Sequence, residues 1–373
     1  MTLFDVYPLF PITPTKAQGS YLWDEKGKKY LDLYGGHAVI SIGHSHPHYI
    51  KSLTDQINKI SFYSNSVQNP IQEKLAEKLG QISGYPDYQL FLCNSGAEAN
   101  ENALKLASFV TGRKKVIAFK KAFHGRTSGA VAATDNPKIV APFNAGHDIT
   151  FVPMNDESAL NAVMDNSIAA IIIEGIQGVG GIQVPEESFL KFLEKQCKAH
   201  GAILILDEIQ SGYGRTGKFF AHQHAGIRPD IITTAKGMGN GFPIGGVFIN
   251  PGIKPWSGML GTTFGGNYLA SVAGLAVIEV MENEKLIENA ATLGNYWLSE
   301  LRKFPTIKEV RGQGLMIGFD LPDDKKDVRT NLLFKHAIFT GEAKPNTIRL
   351  LPSLGLTKEE ADIFLKALKE ELA

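Results

Sequence analysis

An acid and an amine follow two successive apolar segments of the chain, and their types and positions could support chemistry. The first segment, residues 202–206, ends at Asp207, and the second, residues 230–235, ends at Lys236. Short apolar runs bounded by turn residues are typical of buried parallel strands. In open α/β sheets, ligands bind beyond the carboxyl ends of such strands. The sequence therefore predicts that Asp207 and Lys236 share one binding site.

A carboxylate and a lysine at one site suit the cofactor pyridoxal phosphate (PLP). A lysine holds its aldehyde covalently, and an acid at the pyridine nitrogen keeps the ring protonated and electron-withdrawing. Each unit by which the acid raises the pKa of the ring nitrogen corresponds to about 1.4 kcal/mol of stabilisation of its protonated form. Gln210, three residues after Asp207, can donate to the ring's phenolic oxygen. The structural alternatives are that Asp207 and Glu208 cap a turn and that Lys236 is a solvent-exposed lysine in a Gly-rich turn.

A nucleotide-hydrolysing enzyme is a rival interpretation, because strands that end in Asp-Glu also serve metals in that class. Such enzymes need a Gly-rich loop that ends in Gly-Lys-Ser/Thr. This sequence contains none, and its two cysteines, Cys93 and Cys197, have no metal-type spacing. We therefore predict PLP as the cofactor and no metal site.

Two further segments could complete a cofactor site. Ser95, Gly96 and Ala97 join a strand end to a helix start, where backbone N–H groups and the helix dipole favour a phosphate. The alternative is an ordinary helix cap at Ser95. Glu98, three residues later, also fits a capping box, and a cap and a phosphate site are compatible with each other. Phe123 could stack on a planar ring, and Arg126 could hold a substrate carboxylate or be a surface arginine.

Composition and charge exclude several classes of protein. The chain has 373 residues, 43% of them hydrophobic and 20% charged, which is ordinary for a globular protein. Lys plus Arg (38) equals Asp plus Glu (38), which gives no indication of a nucleic-acid or membrane partner. The first residues lack the pattern of a signal peptide, and no apolar stretch is long enough for a bilayer. We expect a cytoplasmic protein.

Strand patterns alternate with helical patterns, which predicts an α/β fold with a mainly parallel sheet. Residues 21–23 and 29–33 flank a turn and predict a hairpin. A long helical stretch over residues 269–304 leads to a C-terminal α+β region. Further strands are predicted at residues 88–92, 115–119, 168–173 and 246–249. The predicted organisation is an N-terminal arm with part of a small domain (1–50), a large domain (51–268), and a bridging helix with the rest of the small domain (269–373).

The combination of motifs resembles the class III, fold-type I PLP-dependent aminotransferases. The likeness covers nearly the whole chain, and its order and spacing make it specific. Within the class, the pattern is most similar to the acetylornithine aminotransferases of arginine biosynthesis, including relatives that use N-succinylornithine. The matching segments are residues 43–47, 95–101, 123–127, 206–217, Lys236, 262–267 and 348–352.

The resemblance implies a large domain with a seven-stranded sheet and a role for each matching residue. Lys236 would hold the cofactor and move the substrate proton, Asp207 would pair with the ring nitrogen, and Gln210 would contact the ring oxygen. The remaining cofactor contacts would be Ile209 and Phe123 on the two ring faces, Ser95, Gly96 and Ala97 at the phosphate, and Thr263 at the phosphate of the partner in a homodimer with shared sites.

The resemblance also implies the substrates. Arg126 and Thr262 would contact the acylornithine, while Arg349 would bind the α-carboxylate of 2-oxoglutarate or glutamate, with Tyr7 in the same pocket. The reaction would move the δ-amino group of N-acetylornithine or N-succinylornithine to 2-oxoglutarate. Alternatives are a related ω-aminotransferase with ornithine, 4-aminobutyrate or lysine as the donor, or a PLP-binding or nucleotide-binding protein without this chemistry.

The sequence departs from the family pattern at two positions. Val179 stands where relatives usually have a glutamate, which masks the arginine matching Arg349 while the donor amine reacts. Arg349 must then be masked by another group, or the donor must supply a negative charge. His37 stands where relatives often have an apolar residue or a tyrosine. We hypothesise that His37 takes part in this altered pocket, and the alternative is that it merely packs nearby.

Overall fold

A twisted sheet of seven strands forms the centre of the molecule, in a computed structural model that describes residues 1–373. The strand order is β4-β10-β9-β8-β7-β5-β6, and all neighbouring pairs are parallel except those of β10. The predicted mainly parallel sheet of seven strands is therefore observed. Its strands are β4 (Gln89–Cys93), β5 (Lys115–Phe119), β6 (Ile149–Val152), β7 (Ile168–Glu174), β8 (Ile203–Asp207), β9 (Ile231–Thr234) and β10 (Gly245–Ile249).

The strands that carry the predicted site lie in the middle of this sheet. Every residue of β7, β8 and β9 is buried, as continuous apolar runs predict for strands covered on both faces. The register places Glu174 opposite Asp207 at the carboxyl ends of β7 and β8. The two acids are therefore neighbours at the edge where ligands bind in such sheets.

Helices cover the central sheet and build the ends of the chain. The longer ones pack an apolar face inward, and their ends carry ordinary caps such as the Ser95 hydroxyl, which accepts from the Glu98 N–H at 3.2 Å. The helices are α1 (Gly35–Ala38), α2 (Pro47–Ile57), α3 (Pro70–Ser83), α4 (Gly96–Thr111), α5 (Ser128–Ala132), α6 (Glu157–Asn161), α7 (Glu187–His200), α8 (Tyr268–Asn283), α9 (Leu286–Leu301), α10 (Val328–Phe334) and α11 (Lys358–Leu372).

Two smaller sheets join the beginning and the end of the chain. The first has the order β1-β2-β3-β13, and the second has the order β11-β12-β15-β14. The predicted hairpin is confirmed, because β2 and β3 pair antiparallel. The strands are β1 (Pro14–Gln18), β2 (Tyr21–Asp24), β3 (Lys29–Asp32), β11 (Glu309–Gln313), β12 (Met316–Asp320), β13 (Ile338–Phe339), β14 (Gly341–Ala343) and β15 (Thr347–Leu350).

The structure differs from the sequence-based prediction in two elements. The single helical stretch predicted over residues 269–304 is two helices, because the chain turns at Lys285, whose φ of 53° ends α8 and starts α9. The prediction also missed β6, a four-residue edge strand that is mostly half-buried and so lacks a strong apolar pattern. None of the helices combines the length and the apolar character needed to span a bilayer. The division into three parts at residues 50 and 268 stays a prediction.

Candidate active site

Asp207 ends β8 and is fixed by three donors. Its Oδ2 accepts from the Asn100 side-chain amide at 2.7 Å and from Nδ1 of His124 at 2.8 Å. Its Oδ1 accepts from the Ile209 N–H at 3.0 Å. Since a carboxylate has about four acceptor sites, Asp207 keeps one for a ligand in the cavity that it lines. The acid is therefore held in one orientation while it remains able to receive a donor.

Lys236 lies two residues after the end of β9 and has a strained backbone. Its φ is 42°, a left-handed value that a non-glycine residue adopts only where the surroundings enforce it. Burial lowers the pKa of its amine to about 8, against the opposing charges of Asp207 and Glu174. The amine therefore loses its proton far more readily than an ordinary lysine, as a nucleophile or proton carrier requires.

The predicted cofactor residues other than Thr263 line one cavity of about 370 Å³. Asp207 and Lys236 lie in its wall, so the structure brings the acid and the amine together as predicted. The exposed Arg126 also lies at this cavity and has no hydrogen-bond or ion-pair partner within the chain. The other predicted residues that line the cavity are Ser95, Gly96, Ala97, Phe123, Ile209 and Gln210.

The start of α4 offers an anion site at one side of this cavity. The N–H groups of Gly96 and Ala97 belong to the first turn, which has no acceptors within its own helix. The loop after β5 closes over that turn, where a Cβ on Gly125 would lie 2.8 Å from the Cβ of Ala97. Since Gly125 has a φ of 142°, glycine meets both the backbone and the space requirement. These features suit a phosphate group.

Glu174 connects the loop that carries Phe123 to the loop that follows β7. Its Oε1 accepts from the Phe123 N–H at 3.0 Å, and its Oε2 accepts from the Gly178 N–H at 3.0 Å. Burial raises the pKa of this carboxyl to about 7, and the charge of Asp207 adds to the shift. Glu174 was not predicted as a site residue, although it ends an apolar strand, which is the pattern that indicated Asp207.

His124 and Asn100 were also missed as site residues. His124 is 2% exposed and donates to Asp207 through Nδ1, and its Nε2 has no partner within the chain. Asn100 is fully buried and accepts from the Thr233 hydroxyl at 2.7 Å while it donates to Asp207. Both residues stand inside motifs that the sequence analysis quoted, but nothing in a sequence shows that a helix residue and a loop residue meet one carboxylate.

A second cavity of about 1050 Å³ contains the predicted α-carboxylate subsite. Arg349, Tyr7 and His37 line it, and Val39 lines both cavities, so the two adjoin. Tyr7 is largely exposed. His37 packs its ring 4.7 Å from that of Tyr34. Arg349 thus lines a cavity that adjoins the cavity of Lys236.

Thr262 and Thr263 do not line the cavity of Lys236 in their own chain. The Thr262 hydroxyl accepts from the Asn94 side chain at 3.2 Å and from the Gly265 N–H at 3.1 Å. Thr263 is exposed. The predicted contact of Thr262 with the acylornithine and that of Thr263 with a partner's phosphate stay predictions.

The residues of the first cavity fit PLP. A carboxylate with a spare acceptor site, an easily deprotonated lysine and a helix start for a phosphate are the groups that this cofactor uses. Gln210 agrees with this, because its buried Oε1 has no partner while its Nε2 donates to the His37 carbonyl at 3.2 Å. Gln210 also lines this cavity, so its amide can contact a ligand there.

Comparisons with known proteins give a consistent result. The family model of the class III aminotransferases matches residues 5–372. The acetylornithine aminotransferase of Archaeoglobus fulgidus is 41% identical, over 96% of this chain and 95% of that protein. That of Bacillus subtilis is 40% identical, over 100% of this chain and 98% of that protein.

Solved structures share the fold. An ornithine aminotransferase of Toxoplasma gondii, described with PLP at its active site, has a TM-score of 0.90 at 30% identity, with 98% of this chain and 90% of that chain covered. An acetylornithine aminotransferase of Elizabethkingia anophelis has a TM-score of 0.84 at 32% identity, with 98% and 94% covered.

Proposed function

Because this chain belongs to the class III aminotransferases, we propose that it is a PLP enzyme of arginine biosynthesis with an Nα-acylornithine as its amino donor. It transfers the δ-amino group of N-acetylornithine or N-succinylornithine to 2-oxoglutarate and yields the acylglutamate semialdehyde and glutamate. The observation that carries the proposal is the meeting of Lys236 and Asp207 in a cavity that adjoins Arg349. The relatives named acetylornithine aminotransferase support the choice of donor.

Lys236 and Asp207 perform the central steps in this proposal. When bound, PLP supplies a ring that withdraws electrons from the carbon bearing the amine. Nζ of Lys236 takes the proton from that carbon and returns one later, which its lowered pKa of about 8 supports. Asp207 accepts from the protonated ring nitrogen, and the donors from Asn100 and His124 keep its carboxylate oriented.

Other residues of the first cavity bind and orient the cofactor. The N–H groups of Gly96 and Ala97, with the Ser95 hydroxyl beside them, hold the phosphate. Phe123 and Ile209 cover the two faces of the ring. The Gln210 amide donates to the ring oxygen. This assignment is supported by the position of all these residues around one cavity.

The substrates occupy both cavities. Arg126, which is free of partners in the chain, binds the acylornithine together with Thr262. Arg349 binds the α-carboxylate of 2-oxoglutarate, and Tyr7 lines the same pocket. The support is geometric, since Arg126 lies at the cavity of Lys236 and Arg349 in the wall of the adjoining one.

We propose that two copies of the chain assemble with shared sites. Thr263 of one copy then contacts the phosphate in the other, which is supported by its exposure and by its absence from the lining of the cavity in its own chain. Many large apolar side chains are exposed near Thr263 and along the N-terminal arm, and such patches mark protein interfaces. Examples are Leu3, Phe4, Leu9, Phe62, Tyr63 and Phe264.

We also propose a cytoplasmic location and the three-part division of the chain at residues 50 and 268.

A second candidate is a related ω-aminotransferase that uses ornithine, 4-aminobutyrate or lysine. Two observations favour keeping it. Val179 replaces the glutamate that family members use to mask Arg349, and ornithine aminotransferases are among the solved structures with a TM-score of 0.90.

Half-reactions with single donors separate the two candidates. Purified enzyme with PLP is mixed with N-acetylornithine, N-succinylornithine, ornithine, 4-aminobutyrate or lysine, and the cofactor absorbance gives kcat/KM for each. We expect an acylated ornithine to exceed each free amine by at least about 100-fold, the range of one well-matched polar subsite. A preference for free ornithine or 4-aminobutyrate contradicts the proposed donor and favours the second candidate.

The lowered pKa of Lys236 predicts how cofactor binding depends on pH. Only the neutral amine attacks an aldehyde, and the folded pKa of about 8 lies well below that of an ordinary lysine. The rate of covalent PLP binding by the apoenzyme is therefore expected to rise with pH and level off above about 8. Stopped-flow absorbance measures this rate, and a midpoint near 10 contradicts the assignment.

His37 is expected to affect one substrate more than the other. It lines the cavity of Arg349, and burial together with the charges of Lys236 and Arg349 lowers its pKa, so its imidazole is neutral at pH 7. We expect His37→Ala to raise KM for 2-oxoglutarate about three- to tenfold, as loss of one hydrogen bond would. Steady-state kinetics with both substrates tests this. Unchanged constants for both would end the hypothesis that His37 takes part in the pocket.

A further inference from the structure

Arg349 is held by three neutral acceptors in this chain. Its Nε donates to the Glu342 carbonyl at 2.8 Å, its Nη1 to the Gly178 carbonyl at 3.0 Å and its Nη2 to the Tyr34 hydroxyl at 3.3 Å. None of these is a carboxylate, and the carboxylate of Glu342 pairs with Arg329 instead, at 2.8 Å. Arg349 is 5% exposed, so the orientation of its guanidinium is set by these contacts.

We propose that Tyr34 is a specificity-determining residue that fixes Arg349 in one carboxylate-binding orientation throughout both half-reactions. The inference rests on the proposed function and deepens it. In this proposal Arg349 is not masked during the donor reaction. It keeps the same orientation and the same free N–H groups in both half-reactions.

A count of donors shows what remains for the substrate. A guanidinium has five N–H groups, and the three contacts use one on Nε, one on Nη1 and one on Nη2. One N–H is then left on each terminal nitrogen. These two N–H groups remain available to a carboxylate, and hydrogen bonds between charged groups are roughly twice as strong as neutral ones. Arg349 is therefore preset for a carboxylate that arrives from the cavity.

Gly341 provides the space that the ring of Tyr34 occupies. A Cβ on Gly341 would lie 2.3 Å from Cε2 of Tyr34, so no other residue type at 341 leaves room for the phenol ring. The other side of the ring contacts His37, whose carbonyl accepts from Gln210. Tyr34 is thus held between β14, which pairs with the strand of Arg349, and the loop next to the cofactor cavity.

Because Tyr34 is uncharged, it can hold Arg349 in place without competing with a substrate carboxylate. A carboxylate partner would form a buried ion pair, and the substrate would have to displace it at a cost of several kcal/mol. Burial raises the pKa of the Tyr34 hydroxyl, so it stays a neutral phenol at pH 7 and needs no displacement. Val179, which lines the cavity of Lys236, likewise brings no charge near Arg349. With no acid at position 179 and a neutral Tyr34 beside it, Arg349 has no charged partner that a substrate would have to displace.

Binding of an unreactive dicarboxylate tests the proposal. Glutarate has the two carboxylates of 2-oxoglutarate without the keto group, so calorimetry with the PLP-loaded enzyme gives its Kd without turnover. We expect Tyr34→Phe, which keeps the ring and removes the hydroxyl, to raise this Kd and the KM for 2-oxoglutarate about tenfold. The KM for the acylornithine is expected to change less than twofold. Tyr30→Phe is the matched control, because the Tyr30 hydroxyl donates to Asp24 away from both cavities.

A second pair of variants tests the same contact without relying on the hydroxyl. Gly341→Ala displaces the ring and is expected to raise the Kd of glutarate at least as much as Tyr34→Phe. The double variant Tyr34→Ala/Gly341→Ala has no ring for the new methyl group to clash with. Its increase in the Kd of glutarate is therefore expected to be clearly smaller than the product of the increases in the two single variants. Circular dichroism and cofactor absorbance identify a variant that fails to fold.

The outcomes separate this inference from the proposed function. An unchanged or lower Kd in Tyr34→Phe overturns the inference, the lower value because it means that the hydroxyl competes with the substrate. An equal effect on both substrates also overturns it, since it points to a general structural role. In either case the wild-type enzyme still transaminates acylornithine. If the wild-type enzyme turns over none of the donors, the proposed function fails, whatever the Kd of glutarate shows.

Discussion

Replacement of Lys236 by alanine is expected to reduce kcat/KM for transamination by at least about 10⁴-fold. The variant loses the covalent hold on the cofactor and the proton carrier at the substrate carbon, and a positioned acid–base group alone contributes about 10²–10⁴-fold. No other lysine lines the first cavity, so no second amine there can take over. Stopped-flow half-reactions with the acylornithine measure the loss.

The variant should still bind PLP without a covalent bond, because the phosphate and ring contacts remain. Treatment with borohydride is therefore expected to fix the cofactor to the wild-type enzyme but not to Lys236→Ala. Lys254→Ala provides the control, since that exposed lysine contacts only the Pro251 carbonyl. A borohydride adduct on a lysine other than Lys236 would show that the wrong amine has been assigned.

The sequence was sufficient to locate Lys236 and Asp207, because continuous apolar runs mark buried strands. β7, β8 and β9 are fully buried on both faces, so their ends are clear in the pattern and the residues that follow them face one edge. The start of α4 was predictable for a similar reason, since the small residues and Ser95 form a recognisable cap. Local patterns therefore predicted residues that line one cavity.

Contacts between distant segments could not be predicted in this way. Tyr34 and Arg349 are 315 positions apart and meet only because β14 and β15 lie beside the loop that follows β3. The donors to Asp207 come from a helix and from a loop, and neither His124 nor Asn100 has a local pattern that indicates a role. The break at Lys285 depends on a single left-handed residue that the apolar periodicity does not reveal.

The family resemblance pointed to Arg349, and how this arginine is controlled during the donor reaction stays a prediction. The resemblance led to the expectation that the missing acid at 179 must be replaced by another mask or by a charge on the donor. The structure shows three neutral acceptors that leave two N–H groups open. A departure from a family motif is thus better understood from the contacts around the affected residue than from the lost residue alone.

Asp207→Asn is expected to lower kcat by at least about 10³-fold while the protein stays folded. The amide has the shape of the acid but no charge to hold a proton on the ring nitrogen, so the ring withdraws electrons poorly. Its NH₂ group would also face the donors from Asn100 or His124, unless the amide turns and places NH₂ toward the Ile209 N–H. Single-turnover kinetics with saturating acylornithine measure the loss in the chemical step.

A cofactor analogue distinguishes loss of charge from loss of shape. In Asp207→Ala the space next to the ring nitrogen is open, and PLP methylated at that nitrogen carries a permanent positive charge. If Asp207 acts by keeping the nitrogen charged, the analogue should restore much of the activity of Asp207→Ala and none of that of Lys236→Ala. Equal failure of both variants with the analogue would mean that Asp207 serves mainly to position His124 and Asn100, and its assignment to the ring would have to be given up.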